Sequence, residues 1–449
     1  MLDLLFWLSL VYWSLVPALK TPWVDIAEVP VNSKDIVLFV LCCIYLLWRV
    51  FGRSNTIQNK ARNWHCHLPT MTTFLVLYAA FSMVFYSYII LPQGSGDINP
   101  MGDLETISMR ITLTLTAASF FIAYIQISRR SPEAVRSFLW QLTIVLAALG
   151  TLYTVAAIAG TTLPGGVRSE FNDTNSDYGV LRVVGPLFGA STGYFILVPA
   201  LSFALQEFYR SKTQRWFRLG IIFALMLTII GLASRAALLI LGVFFIFMAF
   251  SMKNKKQAIA SIVLLAIIVS AAAGIFFSKA SSDRLKSFED SARSNTYLIS
   301  TQIVGHRDFE YNIVGSGYGS YWPWYMADLE NNINTHIPMF DTRFGDVLYH
   351  PHSVVIVMVV ELGIFGTLYF LSLWIILGRL LINNFQNAPF PIFNSGVVAS
   401  GFSMFFDLFI FKGAQINVFW WLFLLGALCL NSSTSKLKPE NTYSLIPER

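Results

Sequence analysis

Runs of about twenty mostly apolar residues recur along the whole chain, and that is the length a helix needs to cross the hydrocarbon core of a membrane. Reading for such runs gives about twelve, near 3–19, 34–51, 69–92, 105–127, 137–160, 187–208, 217–234, 236–252, 257–278, 353–378, 392–411 and 415–431. A backbone that leaves water must satisfy its amides and carbonyls internally, so runs of this length predict helices. The expected fold class is therefore all-α, a polytopic membrane protein with about 12 transmembrane helices. Composition supports this, because only 12% of the 449 residues are charged, against about 25% in an ordinary soluble domain.

One long polar stretch, roughly residues 279–351, breaks the pattern before the apolar run that starts at 353. Polar chemistry in a membrane protein concentrates where helices meet a wet cavity. That makes this loop, and Tyr349-His350-Pro351-His352-Ser353 at its exit, the first place to look for function. The basic residues sort the connectors into two sets. Arg53, Lys60 and Arg62; Arg129, Arg130 and Arg136; Arg210, Lys212, Arg215 and Arg218; Lys253, Lys255 and Lys256; Arg379; and Lys436 and Lys438 fall in one alternating set. Residues 93–104, in the other set, carry no Lys or Arg. Positive charge marks the cytoplasmic side, so both termini are expected in the cytoplasm and the long loop outside. The net charge of +6 is then a matter of topology and does not point to nucleic acid.

The expected organisation is N-terminal transmembrane helices over 1–160 and central ones with an outer connector over 161–278. The large outer loop follows over 279–351, then C-terminal transmembrane helices over 352–431 and a polar cytoplasmic tail over 432–449. Leu2 to Leu19 lack a basic leader and a small-residue cleavage site, so they read as a retained first span. Cys42, Cys43, Cys66 and Cys429 all lie outside the large loop, and no structural disulfide is expected. His65-Cys66-His67 has three adjacent candidate ligands and no partner cluster, so it reads as an ordinary loop segment and no metal is expected.

Arg235, in Gly231-Leu-Ala-Ser234-Arg235-Ala-Ala, lies 17 residues after Arg218 and 18 before Lys253, about 25 and 27 Å of helix. If both flanking cations are on one side, the chain must turn at Arg235, slightly below the opposite surface. A guanidinium there costs about 2.5–3.5 kcal/mol unless it meets a partner or water. It reads either as a buried cation awaiting an anion or as an arginine snorkelling to headgroups. Arg182 lies in the outer connector before the sixth run, after Arg168, Glu170, Asp173 and Asp177; that connector can close over a site or be a solvated turn. The loop holds Arg293 in Ser291-Ala-Arg293-Ser-Asn295-Thr-Tyr297, which begins a helix-like segment, then Gly315-Ser-Gly317-Tyr-Gly319 and Tyr321-Trp322-Pro-Trp324-Tyr325. Glycines permit a tight backbone near a ligand. The aromatics suit sugar rings or the membrane interface alike. His352 is the candidate base, since an unperturbed imidazole titrates near neutrality; His350, His336 and His306 are near it in sequence.

Taken together these residues resemble the O-antigen ligase and O-antigen or exopolysaccharide polymerase superfamily of bacterial envelopes. The resemblance spans roughly residues 178–380. It rests on the Ser234-Arg235-Ala hairpin, the long loop with Arg293, the Gly315-Ser-Gly317-Tyr-Gly319 turn, and His350-Pro-His352-Ser running into Glu361-Leu-Gly363-Ile-Phe-Gly366. The family often has Arg-Gly where this chain has Arg235-Ala236, and Asn after the histidine where this chain has Ser353. The resemblance implies a GT-C-like, metal-independent, inverting glycosyltransferase of the bacterial inner membrane, with its active site periplasmic and no cofactor. The implied donor is a glycan on undecaprenyl diphosphate. The implied acceptor is lipid A-core for a ligase or another lipid-linked glycan for a polymerase, with membrane lipids and other envelope polysaccharide assembly proteins as partners. Arg235, Arg293 and Arg182 would hold the diphosphate, and His352 would take the acceptor proton. Asp341 and Asp346 read as loop solvation or orientation of His352. The alternatives are a lipid-linked glycan transporter or flippase and a non-catalytic assembly subunit. A transporter usually keeps its polar residues near mid-membrane, whereas here only Arg110, Glu361 and Asp407 are mid-span charges.

Overall fold

The structure, a computed structural model, describes residues 1–15, 23–26, 29–51, 67–85, 103–159, 183, 185, 187, 193–211, 213–252, 256, 259–260, 262–263, 265–267, 291–306, 309–315, 317–318, 339–342, 345–348, 353–385, 388–407 and 414–432. Helices dominate them: α1 (Leu2–Leu15), α2 (Ser33–Phe51), α3 (His67–Phe85), α4 (Asp103–Ser128), α5 (Pro132–Ala159), α6 (Tyr194–Arg210), α7 (Arg215–Gly231), α8 (Arg235–Ser251), α9 (Ser291–His306), α10 (Phe309–Val314), α11 (Val354–Ile356), α12 (Gly363–Phe385), α13 (Pro391–Gly401) and α14 (Ala414–Ser432). Two antiparallel hairpins stand beside them. In one, β1 (Trp23–Ile26) pairs with β2 (Val29–Asn32), Trp23 opposite Asn32. In the other, β3 (Met339–Thr342) pairs with β4 (Gly345–Leu348), Met339 opposite Leu348.

Among the described residues, two helices are long and apolar enough to cross a membrane, Pro132–Ala159 and Gly363–Asn384. Shorter apolar helices include Leu2–Leu15, Leu115–Ser128, Arg235–Ser251 and Ile416–Ser432. The run expected near 257–278 lies mostly outside the described residues. The run at 353–378 is not one straight helix. It starts as α11, widens into a π-helical turn over Val357–Glu361, and restarts as α12 at Gly363.

At the centre α6 crosses α13, and both are buried along nearly their whole length. A Cβ on Gly396 would stand 2.0 Å from Ser202 Oγ, so glycine is what lets the two backbones approach. Ser202 Oγ donates to the Phe393 carbonyl at 3.3 Å, and the Phe203 and Phe393 rings meet edge to face at 4.8 Å. Gln206 Oε1 accepts the Ile392 amide at 3.0 Å, tying the end of α6 to the start of α13. A polar knot lies near the same level. Asn384 Nδ2 donates to Ser251 Oγ at 3.0 Å, and Asn394 Nδ2 donates to Asn384 Oδ1 at 2.8 Å. Asn431 Nδ2 donates to Asn394 Oδ1 at 2.8 Å, which brings the end of α14 into the knot. Such amides bond across helices where hydrophobic burial alone gives little orientation.

The bundle has two unlike ends. At one, Arg136 at the start of α5 pairs with Glu207 at the end of α6, and Arg129 and Arg130 at the end of α4 pair with Asp3 of α1. At the other, the break after Glu361 meets the chain coming from α10. Gly315 has φ +76° and Gly363 φ +58°, conformations open to glycine. A Cβ on Gly363 would lie 2.4 Å from Gly315 N and 2.4 Å from the Ile313 carbonyl oxygen. Gly363→Ala is therefore expected to cost about 1–3 kcal/mol in strain and to lower the thermal unfolding midpoint of the detergent-purified protein. Gly378→Ala, where nothing lies within 4 Å, should leave the midpoint where it is.

Candidate functional site

The exit of the long loop is fixed through Ser353. This residue is fully buried and sits just before α11. Its hydroxyl accepts from Tyr297 Oη at 2.7 Å and reaches the Met404 carbonyl at 3.4 Å. Tyr297 Oη also reaches the Phe405 carbonyl. The Val354 amide donates to the Asp407 carbonyl at 3.2 Å. Met404 and Phe405 belong to the tight 3₁₀ turn Phe402–Phe405 that ends α13. Thus α9, the start of α11 and the end of α13 meet at one point. His352 itself lies outside the described residues, but its neighbour Ser353 stands at that junction.

Helix α9 carries Arg293 in its first turn, four residues before Tyr297. Positions i and i+4 share a helix face, so the backbone places Arg293 one turn along from the contact with Ser353. Strand β4 packs on α9 as well. Asp341 and Asp346, expected in irregular loop, are opposite each other in the β3–β4 register.

Arg235 opens α8. Ser234 caps this helix through a hydrogen bond from the Ala237 amide to its Oγ at 3.4 Å, as short hydroxyl side chains do at helix starts. Ala233 before it takes a left-handed turn at φ 47°. The chain thus turns at the expected place, and Arg235 is half-buried with partners. The level of this turn follows from α8 and α13 running antiparallel. Ser251 meets Ser395 at 3.0 Å, and the Phe247 ring meets Phe402 at 5.9 Å. Arg235 lies 12 residues beyond Phe247, about 18 Å along α8, at the end of the bundle that holds Phe405 and Ser353.

The connector with Arg182 reaches the same corner. The Val183 amide donates to the Gly231 carbonyl at 2.6 Å, capping the end of α7 just before the Arg235 turn. Gly185 packs against the Tyr153 ring, and a Cβ there would stand 2.2 Å from Tyr153 Cδ2. Arg182 itself is outside the described residues, between this clamp and the rest of the connector.

The glycine turn also has a partner. The Gly317 amide donates to the Glu361 carbonyl at 2.9 Å, and the Tyr318 amide to Ser82 Oγ at 3.3 Å. Tyr78 Oη donates to the Val314 carbonyl. Burial, and after it the Glu361 carboxylate, raises the Tyr318 phenol, which stays protonated. The turn is therefore wedged between α3 and the π-helical segment that continues from Ser353. The aromatic cluster at 321–325 lies outside the described residues.

Sequence reasoning noticed the segment containing Tyr297 but assigned it no task; the four-residue spacing from Arg293 was the available signal. Ser353 stood out only as a departure from the family's asparagine, and no local signal marks it as an anchor. The arrangement ties the helix of Arg293 to the junction beside the His352 position, and sets the Arg235 turn and the clamp next to Arg182 together at the same end of the bundle. That set suits an anionic group and a hydroxyl that must lose a proton. Tyr297→Phe should remove the tie between α9 and the junction at a cost of about 1–2 kcal/mol, seen as faster amide hydrogen exchange across 291–306 with the remaining helices unchanged.

Residues 219–371 match the model of a family described as O-antigen ligase. The match runs from α7 into α12 and takes in Arg235, Arg293 and His352, while Arg182 precedes it. No curated protein matches the chain.

Proposed function

We propose that this protein is a member of the O-antigen ligase/polymerase superfamily, an inverting glycosyltransferase of the inner membrane acting on lipid-linked glycans at the periplasmic face; the match of residues 219–371 to the family described as O-antigen ligase supports this reading. Its donor is a glycan on undecaprenyl diphosphate, and its acceptor is a second lipid-linked glycan, which makes it a polysaccharide polymerase. The acceptor reading follows from the sequence, which shows no distinct basic patch for a phosphorylated lipid A-core. In the same reading the chain spans the membrane about twelve times, with the arginine-rich end cytoplasmic.

The observation that carries the proposal is the contact between Tyr297 and Ser353 at 2.7 Å, because it ties the helix of Arg293 to the residue after His352. In the reaction the acceptor hydroxyl oxygen attacks the anomeric carbon of the donor sugar. The bond from that carbon to the diphosphate oxygen breaks, and its electron pair leaves with the diphosphate. The acceptor proton passes to an imidazole nitrogen of His352. A single displacement inverts the anomeric centre. Charge grows on the diphosphate as the bond breaks, and arginine meets phosphate oxygens with paired donors; Arg235 and Arg293 fill this role, with Arg182 closing from the connector. A diphosphate is an acidic leaving group and needs no general acid, and in this reading the guanidinium charges take the part a divalent ion would otherwise play.

The test is glycan transfer by the purified protein from a lipid-linked repeat unit, with and without lipid A-core and with chelator. Chain lengthening without core, unaffected by chelator, is expected. Transfer only when core is present would make the protein a ligase, and export of the intact lipid-linked unit without transfer would make it a transporter. His352→Ala should lower transfer about 10²–10⁴-fold, and Arg235→Ala or Arg293→Ala about 10²–10³-fold. Insertion and expression should persist in all three, and Arg53→Ala, a topological cation, should transfer normally.

A further inference from the structure

At the end of the bundle away from Ser353, a cavity of about 470 Å³ opens between the start of α5, the end of α6 and the start of α7. Arg136, Arg210 and Arg218 line it, with Trp140, Glu207 and Phe390. One of the two carboxylates on its wall is already engaged. Glu207 takes both Arg136 Nε at 2.7 Å and Arg136 Nη2 at 2.5 Å, one to each oxygen. The other, Glu133, is exposed. Two arginines are left to set the character of the cavity.

Arg218 is only 8% exposed. Its Nη1 donates to the carbonyls of Glu207 at 2.6 Å and Ser211 at 3.0 Å, but its Nε has no partner among the described residues. A guanidinium carries five N–H donors, and leaving one buried without an acceptor is costly. Its carbon lies 5.6 Å from the centre of the Trp140 ring, and that of Arg210 lies 4.8 Å from the centre of Phe390. The rings hold both cations in place without consuming their N–H donors. The cavity is also at a telling depth. Trp216 is 85% exposed and Phe217 51% exposed, both between Arg215 and Arg218 on α7. Exposed aromatics beside arginines mark the headgroup level of a membrane.

We propose that this cavity binds the phosphate of an anionic phospholipid headgroup, with Arg218 and Arg210 as its ligands. A phosphate oxygen supplies the acceptor that Arg218 Nε lacks, and charge-assisted bonds of this kind are the strong ones. Free phosphate has the same oxygens; the headgroup depth and the apolar flank of α7 favour the lipid. The site is separate from the transfer chemistry and stands whether or not that assignment holds.

The full-length protein is reconstituted in nanodiscs of phosphatidylcholine and phosphatidylglycerol in equal parts, and lipids retained on release are counted by native mass spectrometry. Selective retention of phosphatidylglycerol is expected. Arg210→Gln and Arg218→Lys should each weaken it about tenfold, and Arg379→Gln, an exposed cation on α12, should not. Arg210 is exposed at the rim, so its variant reports on binding even if Arg218→Lys loosens the end of α6. Equal retention of both lipids, or retention that ignores both variants, overturns the proposal. Inorganic phosphate that raises the unfolding midpoint in lipid-free zwitterionic detergent, and does so through Arg210 and Arg218, overturns the lipid in favour of a soluble anion.

Discussion

Backbone groups that leave water have to find partners inside the chain, and the break after Glu361 creates several that no straight helix can satisfy. The π-helical turn over Val357–Glu361 ends at Leu362, and Gly363 restarts the helix in a left-handed conformation. The Glu361 carbonyl is freed there, and the Gly317 amide takes it. That one exchange joins the polar loop to the apolar bundle. With Ser353 held eight residues earlier by Tyr297, the segment between loop and membrane is pinned at both ends.

The two ends of the bundle divide the labour by charge. At one, arginines are partnered by Asp3 and Glu207 or lie against aromatic rings. At the other, the arginine positions of interest stand on a helix start, on the first turn of α9 and in a clamped connector. Helices α5, α6 and α7 run between the two ends. Tyr153, near the end of α5, supports Gly185, and Gly231, at the end of α7, supports Val183.

Much of this was legible in the residues. The turn at Arg235 follows from the distances to Arg218 and Lys253, since a helix continuing through it would overrun the membrane. The helical nature of the apolar runs follows from their length. Less legible was the shape of the run at 353–378. Its hydropathy reads as one continuous helix, because hydropathy is blind to a π-turn and to a glycine at positive φ. The start of α9 was legible in Ser291–Tyr297, but its length was not, because its mixed composition has no apolar stripe.

The sequence by itself determined a helical, membrane-type chain, the alternation of its basic connectors, the turn at Arg235, and a family resemblance carried by short motifs. These depend on local chain length, charge and backbone preference. Tertiary structure alone decided that Tyr297 meets Ser353, that Val183 caps α7 beside Arg235, and that the glycine turn wedges against Glu361. Those contacts join residues 56, 48 and 44 positions apart. At such separations no local preference says which carbonyl an amide will meet; only the packing of the whole bundle does.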